Sequence, residues 1–146
     1  MSGIFVGVDG STHSQVALDW AIREAGIRQA PLTVITIHEV AASGWGGSLE
    51  FPADEVMRER DKKAVQEAVD KTAAQLGSGA PPQITVQALV GQPAQQLIEA
   101  SKDADLLVVG SRGTGGFSRL LLGSVSNQLA EHAHCPVTII PHDRRS

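Results

Sequence analysis

Only one cysteine, Cys135, stands in the 146-residue chain, so no disulfide forms within it. That scarcity fits a reducing compartment. No basic block is present and the net charge is −4, which argues against nucleic acid as the main partner. No apolar run approaches the length that spans a bilayer, so membrane insertion is not expected. The opening residues Met1-Ser2-Gly3-Ile4-Phe5 lack the basic stretch, apolar core and cleavage site of a secretory leader. The expectation is a soluble, cytoplasmic protein.

Catalytic signatures are missing too. There is no Gly-x-Ser-x-Gly elbow and no convincing triad, so no catalytic residue is assigned. The five histidines, His13, His38, His132, His134 and His142, show no metal-ligand spacing with cysteine or acids. His132 and His134, at the expected end of a helix, would point to different faces. Cys135, just before Pro136, reads as a small buried thiol rather than a redox group.

What is present is an ordinary globular balance, with 42 % apolar and 19 % charged residues. The length suits a single domain over residues 1–146 with one core. Short runs rich in β-branched residues predict five strands: Ile4 to Val8, Leu32 to Ile37, Ile84 to Leu89, Leu106 to Val109, and Val137 to Ile140. Helical periodicity lies between them. The first helix follows Ser11 as a cap and turns Leu18, Ala21, Ile22 and Ala25 to one face. The second runs from about Asp54 to Leu76, with Val65, Ala68, Val69, Thr72, Ala73 and Leu76 inward. Its other face, Arg58, Glu59, Asp61, Lys62 and Lys63, is expected in solvent. The third opens at Pro93 and buries Leu97 and Ile98. The fourth starts near Ser124 and buries Val125, Leu129 and Ala133. Alternating strands and helices with continuous apolar strands predict an open parallel sheet covered on both faces. The segment Ala41 to Pro52 reads as a long loop. Trp45 within it would pack that loop down, or alternatively stack on a base.

The most informative stretch is Val109-Gly110-Ser111-Arg112-Gly113-Thr114-Gly115-Gly116-Phe117, followed by Gly123-Ser124-Val125-Ser126. It reads as a strand, a glycine loop and a helix start. Glycines let backbone N–H groups close on an anion, and a helix N-terminus adds its positive dipole end. A Gly-x-x-Gly alone also closes many turns that bind nothing. Three glycines, a hydroxyl and a helix start together point to phosphate. The loop has no lysine after its last glycine, and the first strand is not followed by Gly-x-Gly-x-x-Gly. Neutralisation would therefore fall to backbone N–H groups, Ser124, Ser126, Arg112 or Arg119, and a magnesium ion. The first strand ends in Gly7-Val8-Asp9-Gly10-Ser11. Asp9 would accept from a ribose hydroxyl or an adenine amine, or order the turn and cap the first helix; the roles are compatible.

These residues resemble the universal stress protein family, in its single-domain, nucleotide-binding form. The family's signature of Gly, two residues, Gly, nine residues, Gly, then Ser or Thr is matched by Gly110, Gly113, Gly123 and Ser124. Val6 to Ser11, Ala104 to Gly113 and Cys135-Pro136-Val137 match it elsewhere. The resemblance implies an adenine-nucleotide-binding fold with strand order 3-2-1-4-5, and a homodimer, for which the edge strand Val137 to Ile140 is the natural contact. It also implies ATP between strands one and four, on Gly7, Val8, Asp9 and the end of strand two. The phosphates would lie on Gly110, Ser111, Arg112, Gly113, Gly115, Gly116, Gly123, Ser124, Val125 and Ser126. One departure is Glu39, where the family usually places an apolar residue after the strand-end histidine. The implied role is an ATP-binding regulatory or sensing module in stress response. The rivals are a very slow ATPase and a dimerisation module that binds no nucleotide.

Overall fold

The computed structural model describes residues 3–9, 12–39, 52–111 and 123–141. Five strands form one parallel sheet: β1 (Ile4–Val8), β2 (Leu32–Glu39), β3 (Ile84–Gly91), β4 (Leu106–Gly110) and β5 (Val137–Ile140). Their order across the sheet is β3-β2-β1-β4-β5, as expected. The helices are α1 (Thr12–Arg28), α2 (Pro52–Leu76), α3 (Pro93–Ala100) and α4 (Ser124–His132). Among the described residues, no helix is long and apolar enough to cross a membrane.

Side chains alternate across a strand, and here both faces are buried. Ile4, Val6, Val8, Leu32, Val34, Leu106 and Val108 face Leu18, Ala21, Ile22 and Ala25 of α1 and Val65 and Val69 of α2. On the opposite face, Ile35, Leu107 and Val109 meet Leu97 of α3 and Leu129 of α4. Leu107 and Leu129 have no exposed surface. Each such burial contributes roughly 1.5–3 kcal/mol. The first helix buries all four residues expected of it.

Several boundaries differ from the sequence expectation. β2 runs two residues further, through His38 and Glu39, because β3 also extends and pairs His38 with Val90 and Glu39 with Gly91. Pairing to a neighbour, which local pattern does not show, sets that end. α2 begins at Pro52, a favourable first-turn residue, rather than at Asp54. The rest of the segment Ala41 to Pro52, with Trp45, lies outside the described residues, as does the cap Ser11. In α4 the buried side chains are Ser126 and Leu129. Val125 is half-buried, and Ala133 follows the helix as its C-cap, also half-buried. His134 likewise lies past the helix end.

One contact on the edge away from the strand ends is steric. A Cβ on Gly26 of α1 would lie 2.0 Å from the carbonyl oxygen of Gly79, in the short helical turn Gly77–Gly79. That atom is backbone and cannot swing aside. Gly26→Ala gains up to about 1 kcal/mol of helix propensity, but the overpacking costs about 1–3 kcal/mol and exceeds it. Urea unfolding should show Gly26→Ala destabilised. Gly79→Ala, whose Cβ meets nothing within 4 Å, should change little.

Candidate functional site

A parallel sheet places every strand's C-terminus on one edge, and each following helix begins at that edge. Here the edge holds a cavity of about 730 Å³, within the usual range for small-molecule sites. Its floor is Gly7, Val8 and Asp9 at the end of β1, Ile35, Ile37, His38 and Glu39 on β2, and Val109 and Gly110 on β4. The first turns of α3 and α4 and one residue of α2, Asp61, form its walls.

The α4 end supplies hydrogen-bond donors. The first intrahelical bond of α4 runs from the Asn127 N–H to the Gly123 carbonyl at 2.9 Å. The N–H groups of Ser124, Val125 and Ser126 precede it, and helix geometry leaves them without an intrahelical acceptor. All three residues line the cavity. The Ser124 side chain is exposed there. Ser126 is buried, and its hydroxyl donates to the carbonyls of Gly123 at 2.9 Å and Ser111 at 3.3 Å. Gly123 donates its own N–H to the Ser111 carbonyl at 2.6 Å. Ser111 in turn donates its N–H to Ile140 of β5 at 2.9 Å. These bonds tie the start of α4 to the ends of β4 and β5. Ser126 and Gly123 thus clamp the site, and Ser124 and Val125 face it.

Of the residues singled out from sequence, Gly7, Val8, Asp9, Glu39, Gly110, Gly123, Ser124, Val125 and Ser126 line this one cavity. Ser111 sits behind it through the bonds just described. Arg112, Gly113, Gly115 and Gly116 fall outside the described residues. Gly7 also has a packing role: a Cβ there would come within 2.9 Å of Leu97 on α3.

Other lining residues were not expected. Ser14, buried in the first turns of α1, accepts the Asp9 N–H at 3.2 Å and fixes the end of β1. Gln92, Gln95 and Gln128 add amides from α3 and α4. Asp61, assigned to the solvated face of α2, instead lines the cavity, and its Oδ2 lies 3.9 Å from Nδ1 of His38. The signal was available: Asp61 stands four residues before Val65 and so continues the inward stripe by one turn. Asp9, Glu39 and Asp61 are the charged side chains of the described wall, joined by no lysine or arginine.

Cys135 lies away from the cavity, between α4 and β5. It is half-buried rather than fully buried. Its thiol donates to the Pro136 carbonyl at 3.3 Å. Burial pushes the thiol pKa up, aided by the negative charge of Asp105 and opposed by a backbone hydrogen bond from Leu107.

The model of the universal stress protein family matches residues 1–141. The chain belongs to this family. A universal stress protein of Mycobacterium tuberculosis (strain H37Rv) is 37 % identical over 148 residues, covering 99 % of this chain and 48 % of the relative. The chain therefore spans about half the length of the curated relatives it matches. Universal stress protein UspA from Lactobacillus plantarum superposes with a TM-score of 0.74 at 24 % identity, covering 94 % of this chain and 95 % of the other. A universal stress protein crystallised in complex with cAMP superposes with a TM-score of 0.65 at 30 % identity, covering 94 % of each chain.

The clamp can be tested without a ligand. Ser126→Ala removes two contacts of a buried hydroxyl, although each carbonyl keeps an N–H donor, from Asn127 at Gly123 and from Gly123 at Ser111. Unfolding in urea should show a loss of about 1 kcal/mol. Stability unchanged from the parent would mean that Ser126 does not hold the start of α4.

Proposed function

We propose that the chain binds an adenine nucleotide, ATP with Mg2+, in this cavity and acts as a regulatory or sensing module whose occupancy biases its conformation or its association. The observation that carries this reading is the start of α4. Three N–H groups ahead of the first intrahelical bond open on a cavity at the ends of β1 and β4, an arrangement that favours an anion. Asp9 provides an acceptor for the nucleoside side. The related protein bound to cAMP supports an adenine nucleotide as the ligand class. Among the described residues, no group of three or more His, Cys, Asp or Glu is placed to hold a metal ion. An accompanying Mg2+ would be carried by the phosphates and water, and would offset the acidic wall.

Denaturing the purified protein and weighing the released ligand identifies the nucleotide. Titration calorimetry with ATP then tests the site. Gly123→Val places a branched side chain where the phosphates would approach and should abolish binding. Ser124→Ala removes one hydroxyl donor to a charged acceptor and should weaken binding about ten- to a hundredfold. Asp9→Ala should weaken ATP but leave competition by tripolyphosphate intact. If Gly123→Val stays folded by circular dichroism and binds ATP like the parent, the phosphate site lies elsewhere.

The module is also proposed to be a homodimer through β5. All four residues of that strand are half-buried, and the strand forms an edge of the sheet. An apolar edge invites pairing, and a two-fold contact between identical strands is self-complementary. Pro141 would limit the ladder's length. Ile139→Lys should shift the mass measured by light scattering from twice the 15.3 kDa of one chain toward a single copy. A folded Ile139→Lys variant that stays dimeric, together with a dimeric Val137→Lys, would place the interface elsewhere.

A further inference from the structure

The cavity has two chemically opposed ends. At one end, the N–H groups of Ser124 and Val125 open from the start of α4. At the other end stand His38 and Glu39, which finish β2, and Asp61 on α2. β2 and β4 flank β1 on either side, so their ends are separated by about 10 Å, two strand spacings. Donors thus lie on the β4 side and carboxylates on the β2 side. A carboxylate accepts hydrogen bonds and donates none. A ligand anchored by its anionic group at α4 therefore meets these carboxylates at its far end, with Gln92 beside them at the end of β3.

Asp61 is the carboxylate of this end that has His38 beside it. It comes from a helix packed over the sheet, and its Oδ2 lies 3.9 Å from His38 Nδ1. That separation is longer than a hydrogen bond but within reach of an ion pair when the imidazole carries a proton. With Oδ2 turned toward His38, Oδ1 remains to accept from a ligand. We propose that Asp61, oriented by His38, makes the nucleotide site selective for a 6-aminopurine over a 6-oxopurine. An exocyclic amine donates to the carboxylate. A carbonyl in the same place sets lone pairs against lone pairs, and a polar site built for a donor rejects the analogue that lacks it. Asp61 is the specificity residue in this scheme and His38 its positioning residue. The inference rests on the nucleotide reading above and adds to it the residue that reads the base.

The test compares AMP with IMP, which carry the same ribose and phosphate. Both are titrated calorimetrically into the full chain and into Asp61→Asn, Asp61→Ala and His38→Ala. The readout is the ratio of the two affinities. Any effect of the lost charge on the phosphate acts on both ligands alike and cancels in that ratio. The parent should favour AMP by about tenfold or more, the low end for a hydrogen bond to a charged group at this half-exposed position. Asp61→Asn offers an amide N–H to the 6-oxygen and should bring the ratio near unity or reverse it. Asp61→Ala should compress it, and His38→Ala should compress it partly while leaving tripolyphosphate competition unchanged. A parent that binds both nucleotides equally overturns the inference and leaves the nucleotide site standing. So does an Asp61→Asn variant that keeps the parental ratio. Failure of the parent to bind AMP, IMP or ATP would remove the nucleotide reading itself, and this inference with it.

Discussion

Parallel pairing is the constraint on which the rest depends. When all strands run one way, every strand ends on the same edge of the sheet, and each helix that follows must start there. The ends of β1, β2 and β4 and the starts of α3 and α4 converge for that reason alone. Backbone N–H groups without partners gather where strand ends leave room between them. The cavity is thus a by-product of topology, and side chains only decide what it accepts. Because the strands are buried on both faces, the helices cannot drift from the positions that bring their first turns to that edge.

The bonds around Ser111 show how the edge is held open yet fixed. Its carbonyl receives the Gly123 N–H and the Ser126 hydroxyl, while its N–H goes to Ile140. One residue therefore ties β4, β5 and α4 together. On the other side of β1, Ser14 performs a similar task by accepting the Asp9 N–H. Ser14 and Ser126 are buried, and both use the hydroxyl to satisfy backbone groups at a point where the sheet ladder has ended. Among the described residues, backbone and hydroxyl groups therefore fix these strand ends and the start of α4 without a charged side chain. That leaves the charged side chains of the described wall, all acidic, to act on the ligand's uncharged portion or on an accompanying cation.

Much of this was legible in the chain. The strands were readable because a strand buried on both faces is a continuous apolar run, as in Leu106 to Val109, and the helix of α1 because its apolar residues recur at helical spacing. What escaped reading has physical causes. The extra two residues of β2 exist because Glu39 pairs with Gly91, a contact separated by 52 positions that no local window contains. Ser126 was read as a phosphate ligand from its place in the motif. Its hydroxyl bonds two carbonyls, an arrangement that only the relative position of β4 and α4 determines, while its N–H stays among the three at the start of α4. Asp61 was placed in solvent because charge normally marks an outer face, yet helical phase puts it one turn above Val65. Where charge and phase disagree, phase locates the residue and charge indicates its use.

Glycines carry a related lesson about evidence for a site. Gly7 would fit a ligand argument, since it lies on the cavity floor, but a Cβ there would already press on Leu97 from beneath. Its presence has a packing cause whether or not anything binds above it. Gly123 has φ −64° and ψ 159°, values open to any residue, and its N–H is used within the fold. Neither the conformation nor the hydrogen bonding of that position calls for glycine. Gly123 does line the cavity, beside the start of α4. The phosphate reading therefore stands on the three N–H groups at the start of α4 that open on the cavity, and glycines alone would not carry it.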